Sequence, residues 1–262
     1  MLNDGICSEQ SSEGPMPELD SVFAQSKSYF ELPLSEKAKA PNNDPNINRG
    51  YSGMGIEKTT NVFDADGIAT LRKQEPDIKE SLEIGSEPGD YPVKKEMNIW
   101  PEGLEGFKEK MIWFYKRCDD LHHVLLGAIA EGLGIEKDFF RSIKNGDHVL
   151  RLLHYPSVER NELDKEGAVR TGSHTDYGSD LLQISTNDVL ESTHHRVRTP
   201  TKIPVTADGK YAARYSIAYF CHPDQESTID TIETCWDPVN NPKKYGPVVL
   251  GEWIANRLKI SY

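Results

Sequence analysis

Ser173-His174-Thr175-Asp176-Tyr177-Gly178 is the stretch that decides the fold, and its complement is Ser192-Thr193-His194-His195-Arg196-Val197. Side chains alternate along a β-strand, so His174 and Asp176 project from one face. A single distant imidazole added to that pair gives two nitrogens and one carboxylate. Such a facial set suits non-haem Fe(II), because it grips the ion from one side and leaves the other side open. An isolated His-x-Asp triplet arises by chance, so the rest of the chain carries the argument.

The bulk composition narrows the partners. A chain of 262 residues can bury a real core as one large domain or two small ones. Forty-two acidic side chains against 30 basic ones leave a formal charge of −12. That surface repels nucleic acid, whose binding depends on Lys and Arg neutralising phosphates. No apolar run approaches the roughly 20 residues needed to cross a bilayer. Met1-Leu2-Asn3-Asp4-Gly5 has neither a basic n-region nor an apolar h-region, so no secretory signal is expected. Cys7, Cys118, Cys221 and Cys235 lie far apart without a CxxC and read as free thiols of a reducing compartment. The expectation is a cytoplasmic protein with a small-molecule substrate and no nucleic-acid or membrane partner. Oligomeric state is left open.

Helices come first along the chain and strands later. Residues 1–18 look loose. Leu19, Val22, Phe23, Ser26, Tyr29 and Phe30 then recur at helical spacing until Pro33. Residues 35–60 are turn-rich, with Pro41-Asn42-Asn43-Asp44-Pro45 as the clearest breaker, and 62–98 read as ordered loop. The longest helix is predicted to open at Pro101, to carry an apolar stripe from Leu104 to Ile129, and to close at Gly132 and Gly134. His122 and His123 sit on it without visible ligand partners. His148 through Tyr155 is strand-like and stops at Pro156. Tyr211 to Phe220 is a second strand, and Leu250 to Leu258 a short closing helix. His148 and His154 share a face of their strand but lack a third partner, and Cys221-His222 follows its strand too late to join the metal. This order predicts an α+β fold, with a helical region over 1–146 and a β core over 147–262.

Arg214 and Ser216 share a face of the second strand, so a guanidinium and a hydroxyl point the same way. Arg is the side chain best shaped to clamp a carboxylate. Tyr155 offers a phenol to the same anion. With these residues in place the chain resembles the iron(II)/2-oxoglutarate-dependent dioxygenases, in the branch that contains isopenicillin N synthase. The matching segments are 23–33, Arg49-Gly50-Tyr51, Arg151 through Pro156, His174 through Gln183, Ser192 through Val197 and Arg214 through Phe220, in family order over nearly the whole chain.

The resemblance implies a double-stranded β-helix, or jelly roll, as the core. It implies Fe(II) held by His174, Asp176 and His195, with His195 preferred to His194 because it directly precedes the Arg-Val pair. It implies 2-oxoglutarate held at its distal carboxylate by Arg214 and Ser216, with help from Tyr155, although Leu153 replaces an Asn common in relatives. O2 is the oxidant. The implied activity is hydroxylation or desaturation of a small organic molecule, in secondary metabolism.

One feature departs from the family. Four strands should lie between the His-x-Asp pair and the distal His, which takes about 30 residues or more. Only 18 residues separate Asp176 from His195. The seam falls between Ser179 and Asp180. Losing those strands exposes sheet edges and removes part of the pocket roof, so the sequence predicts an incomplete or poorly held iron site. Two alternatives to an active oxygenase follow: an impaired homologue with a binding role only, or a shortened isoform of a longer gene product.

Overall fold

Helix α1 (Pro17–Phe30) buries Val22, Ser26, Tyr29 and Phe30, which lie three or four residues apart on one stripe. A computed structural model describes the chain over residues 17–42, 49–57, 77–87, 97–142, 148–163, 170–197 and 206–261. After the single turn α2 (Leu34–Lys37) come β1 (Gly50–Ser52), β2 (Glu80–Ile84), α3 (Phe107–Gly132), α4 (Phe139–Ser142), β3 (Val149–Tyr155) and α5 (Arg160–Leu163). The second half contains β4 (Thr171–His174), α6 (Tyr177–Ser185), β5 (His195–Val197), β6 (Arg214–Phe220), β7 (Thr228–Ile229), β8 (Val248–Val249) and α7 (Leu250–Ser261).

Four strands form an antiparallel sheet in the order β1-β2-β3-β6. Alternation gives the sheet two different faces. Leu82, Ile84, Leu150 and Leu152 point to one side, where Val22, Tyr29 and Phe30 of α1 and Phe107, Met111 and Tyr115 of α3 meet them. Each such side chain, taken fully out of water, contributes roughly 1.5–3 kcal/mol, which fixes both helices on that face. Arg151, Leu153 and Tyr155 of β3 point to the other side, with Arg214 and Ser216 of β6 beside them in register. The helices thus cover one face and leave the other for the site. Pairs β4-β5 and β7-β8 make two further small sheets.

Several sequence expectations shift. The stretch read as loop contains β2, which pairs with both β1 and β3; residues 58–76 and 88–96 lie outside the described residues. The sheet therefore draws strands from both sides of residue 146. The long helix starts at Phe107 rather than Pro101, because Gly103 and Gly106 adopt φ of 77° and 73°. Strand β6 begins at Arg214, and Tyr211 instead bridges Val158. Gly50 of the Arg49-Gly50-Tyr51 segment has φ 95°, and a Cβ there would lie 2.7 Å from the Ala40 carbonyl oxygen. Cys118, Cys221 and Cys235 are free thiols, and Cys7 lies outside the described residues. No helix of the described residues is long and apolar enough to cross a membrane.

Candidate metal and co-substrate site

Strand β4 delivers His174, and the extended backbone continues through Asp176 (φ −81°, ψ 139°), the residue that precedes α6. Strand β5 returns antiparallel, with His195 opposite His174. The donor atoms of His174, Asp176 and His195 all lie within 4.8 Å of one another. Asp176 Oδ1 is 3.6 Å from Nε2 of each histidine. His174 Nδ1 lies 2.8 Å from the Gly172 carbonyl and His195 Nδ1 3.0 Å from the Thr193 carbonyl. Each Nδ1–H donates to its carbonyl, so both Nε2 lone pairs face the carboxylate. Burial, despite the Gly172 bond, pulls the His174 pKa below its ordinary value, which keeps that ring neutral and able to donate. Two donors about 2.1 Å from one ion sit roughly 3.0–4.2 Å apart as the angle opens. The spacing fits a divalent cation, and all three residues converge, although the short interval predicts an incomplete or poorly held site.

The short interval is bridged by α6 and a tight return, without any strand among the described residues. The predicted seam, Ser179-Asp180, lies inside this helix. Asn187 and Asp188 reverse the chain with φ of 52° and 67°. The Gln183 side chain holds the loop, donating to Asp188 Oδ1 at 2.8 Å and accepting from the Ser192 amide at 2.7 Å. Lys244 and Tyr245 also bind Asp188.

Tyr155 and Arg214 face each other across β3 and β6, and the Arg214 guanidinium stands 5.4 Å from the Tyr155 ring centre. Ser216 is two residues along on the same face. Thr171 of β4 donates to the Tyr155 hydroxyl at 3.3 Å, so the strand that carries His174 lies against Tyr155. A residue that sequence reasoning missed joins them. Arg170 is 3% exposed, its guanidinium is 5.9 Å from the Tyr155 ring, and it donates to the Ala212 carbonyl at 2.8 Å. Burial first, and then the charge of Arg214, pull its pKa below the ordinary arginine value. A lone Arg ahead of the motif carries no signal for this in the sequence.

A buried charge cluster on the same sheet face supports β4. Arg151 pairs with Glu83 at 2.7 Å and contacts Glu57; Lys79 pairs with Glu57 at 3.3 Å and Asp77 at 3.1 Å. Asp77 Oδ1 in turn accepts from the Gly172 amide at 3.2 Å. Burial alone would raise the pKa of Glu57, but the Arg151 and Lys79 charges outweigh it and hold the carboxyl at about 2. At Glu83 burial wins over Arg151 and the pKa rises.

A cavity of about 810 Å³ reaches from Asp176, Gly178 and Ser179 along apolar walls of α3 and α6, including Leu125, Ile129, Leu181 and Leu182. His122, His148 and Cys221, which also line it, come together, although sequence reading finds no partners for His122 and His148. This second group is a poor metal site. His148 Nδ1 accepts from the His222 amide at 3.1 Å, which places the ring proton on Nε2, 3.6 Å from Asp119. Burial, then Asp119, push the Cys221 thiol up to about 12.

Comparisons with known proteins identify the family. Residues 10–103 match the family model "non-haem dioxygenase in morphine synthesis N-terminal". The chain is 35% identical to the proline hydroxylase buaE of Petromyces alliaceus, over 95% of this chain and 87% of that one. It is 28% identical to the 2-oxoglutarate-dependent dioxygenase frbA of a Dothideomycetidae species, over 90% and 80%. A full-length Neurospora crassa protein, solved in complex with alpha-KG and thymine, superposes with a TM-score of 0.77 at 35% identity, over 96% of this chain and 86% of that one. The chain belongs to the iron(II)/2-oxoglutarate-dependent dioxygenases. Its cofactor is Fe(II), its co-substrate 2-oxoglutarate, and its fold the α+β jelly-roll class of these structures. The match to buaE spans 296 aligned positions, whereas 95% of 262 residues is about 249, so about 47 positions of that relative have no counterpart here. The same reckoning gives about 42 for frbA, from 278 positions and 90%. These unmatched positions fall within the aligned spans of both relatives.

Proposed function

We propose that His174, Asp176 and His195 bind Fe(II), that Arg214, Ser216 and Tyr155 bind 2-oxoglutarate, and that the chain hydroxylates or desaturates a small, largely apolar organic molecule. The single observation behind this reading is the convergence of three donors within 4.8 Å, next to a strand face that carries Arg214 and Ser216. With 2-oxoglutarate and O2, bound Fe(II) supplies the oxidising power that breaks a substrate C–H bond. The chain's residues do the rest. Gly172 and Thr193 carbonyls fix the two imidazoles, Asp176 balances part of the metal charge, and Arg214 with Ser216 grips the distal carboxylate. The apolar cavity beside Asp176 limits water and favours a non-polar substrate. The alternative of an impaired homologue, which rests on the shortened core, is less favoured because the three donors still converge.

Anaerobic Fe(II) titration tests the reading. One equivalent is expected to bind, and His174→Ala, Asp176→Ala or His195→Ala to abolish binding and 2-oxoglutarate turnover to succinate. A folded wild-type protein that bound no Fe(II) would sink the proposal.

A further inference from the structure

Two guanidiniums share one phenol in this site. Arg214 and Arg170 stand 5.4 Å and 5.9 Å from the centre of the Tyr155 ring, on a side chain that is itself 3% exposed. Neither has a carboxylate partner among the described residues. The other polar contact of Arg170 is one neutral carbonyl, Ala212. A buried cation without a counter-charge is costly, and a second cation alongside raises the cost. The ring faces offset part of it by cation–π attraction, and an anion would offset more.

We propose that Arg170 is a specificity-determining residue of the co-substrate site: with Arg214 it supplies a second positive charge that makes the site select a 2-oxo diacid over a 2-oxo monoacid. This rests on the reading of Arg214, Ser216 and Tyr155 given above. Arg170 is fixed for the role from both sides. Its own carbonyl accepts from the Thr171 hydroxyl at 2.9 Å, and Thr171 also reaches the Tyr155 hydroxyl. Arg170, Tyr155 and the start of the metal strand therefore form one unit. Arg214 alone would hold a carboxylate, whereas the pair biases the site toward ligands whose far end is charged.

The test uses the full chain loaded with Mn(II), which prevents turnover. Dissociation constants for 2-oxoglutarate and for 2-oxobutyrate, which lacks the distal carboxylate, are measured by calorimetry for wild type, Arg170→Gln, Arg170→Lys and Arg214→Gln. Loss of one charged hydrogen-bond partner predicts about 10- to 100-fold weaker 2-oxoglutarate binding in Arg170→Gln. Binding of 2-oxobutyrate should stay within about twofold, and Arg170→Lys should recover most of the preference. If Arg170→Gln weakens both acids equally, or neither, while its melting temperature matches wild type, the proposal is overturned. Should Arg170→Gln not fold, Arg170→Lys decides: a lysine variant that loses the diacid preference through equal changes in both acids refutes it too. If Arg214→Gln leaves 2-oxoglutarate binding intact, the anchor reading itself fails. If Arg214→Gln weakens it and Arg170→Gln does not, only the role of Arg170 fails.

Discussion

Removing the Asp77 carboxylate should loosen the metal centre without touching a ligand. Asp77 Oδ1 accepts from the Gly172 amide at 3.2 Å, and the Gly172 carbonyl accepts from His174 Nδ1 at 2.8 Å. Both polar groups of one glycine are thus tied, one to the buried charge cluster and one to the imidazole. In Asp77→Ala a hydrogen bond to a charged group is lost, about 1.5–3 kcal/mol, and Lys79 retains Glu57 as a partner. Outer-shell contacts of this type are worth about 10–100-fold in metal affinity, or roughly 1.4–2.7 kcal/mol. Asp77→Asn keeps an acceptor oxygen for Gly172 but loses the charge, so it should bind metal within about threefold of wild type. Anaerobic Fe(II) titration and urea unfolding read the two effects separately. Wild-type metal affinity in a destabilised Asp77→Ala protein would refute the relay through Gly172. Equal metal loss in Asp77→Asn and Asp77→Ala would assign the effect to charge instead.

Arg151→Met should cost about 3–5 kcal/mol in urea unfolding, because it leaves the buried Glu57 and Glu83 without their shared cation. The pKa of Glu57 is held at about 2 against an ordinary 4.5, so its contribution to stability is present above about pH 4.5 and fades as pH falls toward 2. That amounts to about 3 kcal/mol, and stability compared at pH 5.5 and pH 2.5 should show a smaller acid loss in Glu57→Gln than in wild type. Gly178→Ala would drive a Cβ into the Cys221 carbonyl oxygen two residues after Asp176. Both melting temperature and Fe(II) affinity should fall, and an unchanged affinity would show that the start of α6 does not position Asp176.

Periodicity made some elements legible and others not. Helix α1, the strand β3 and the body of β6 bury residues at regular intervals, so the sequence shows them. Strand β2 escapes notice because Glu80, Ser81 and Glu83 are buried with polar partners: Lys37, Tyr51 and His154 on one face, Arg151 and Ser81 on the other. Buried polar residues that find partners cost little, yet they erase the apolar alternation that marks a strand. The three candidate metal ligands were legible through the motif, and the resemblance, through the Arg-Val pair, favoured His195 over His194. Asp77 and Arg170 were not, since each depends on a neighbour far away in the chain, Gly172 for one and Tyr155 for the other.

The interval between the two halves of the motif predicts an incomplete or poorly held site, yet the three candidate donors converge, and the reason lies in what that convergence needs. His195 has to stand opposite His174, which an antiparallel pair supplies at Cβ separations of about 4.5–5.5 Å. Four strands between them are one route to that pairing. A nine-residue helix, about 13 Å long, followed by a reversal at Asn187 and Asp188, is another. Two non-glycine residues at positive φ are strained, by about 1–3 kcal/mol each. Gln183, Lys244 and Tyr245 gather on Asp188 and offset that cost. The donors are brought together by β4, β5 and the loop that joins them, braced from outside by Asp77, Lys244 and Tyr245. Activity and substrate range are separable here: restoring a relative's segment between Ser179 and Asp180 should change which molecules are oxidised far more than how tightly Fe(II) is held.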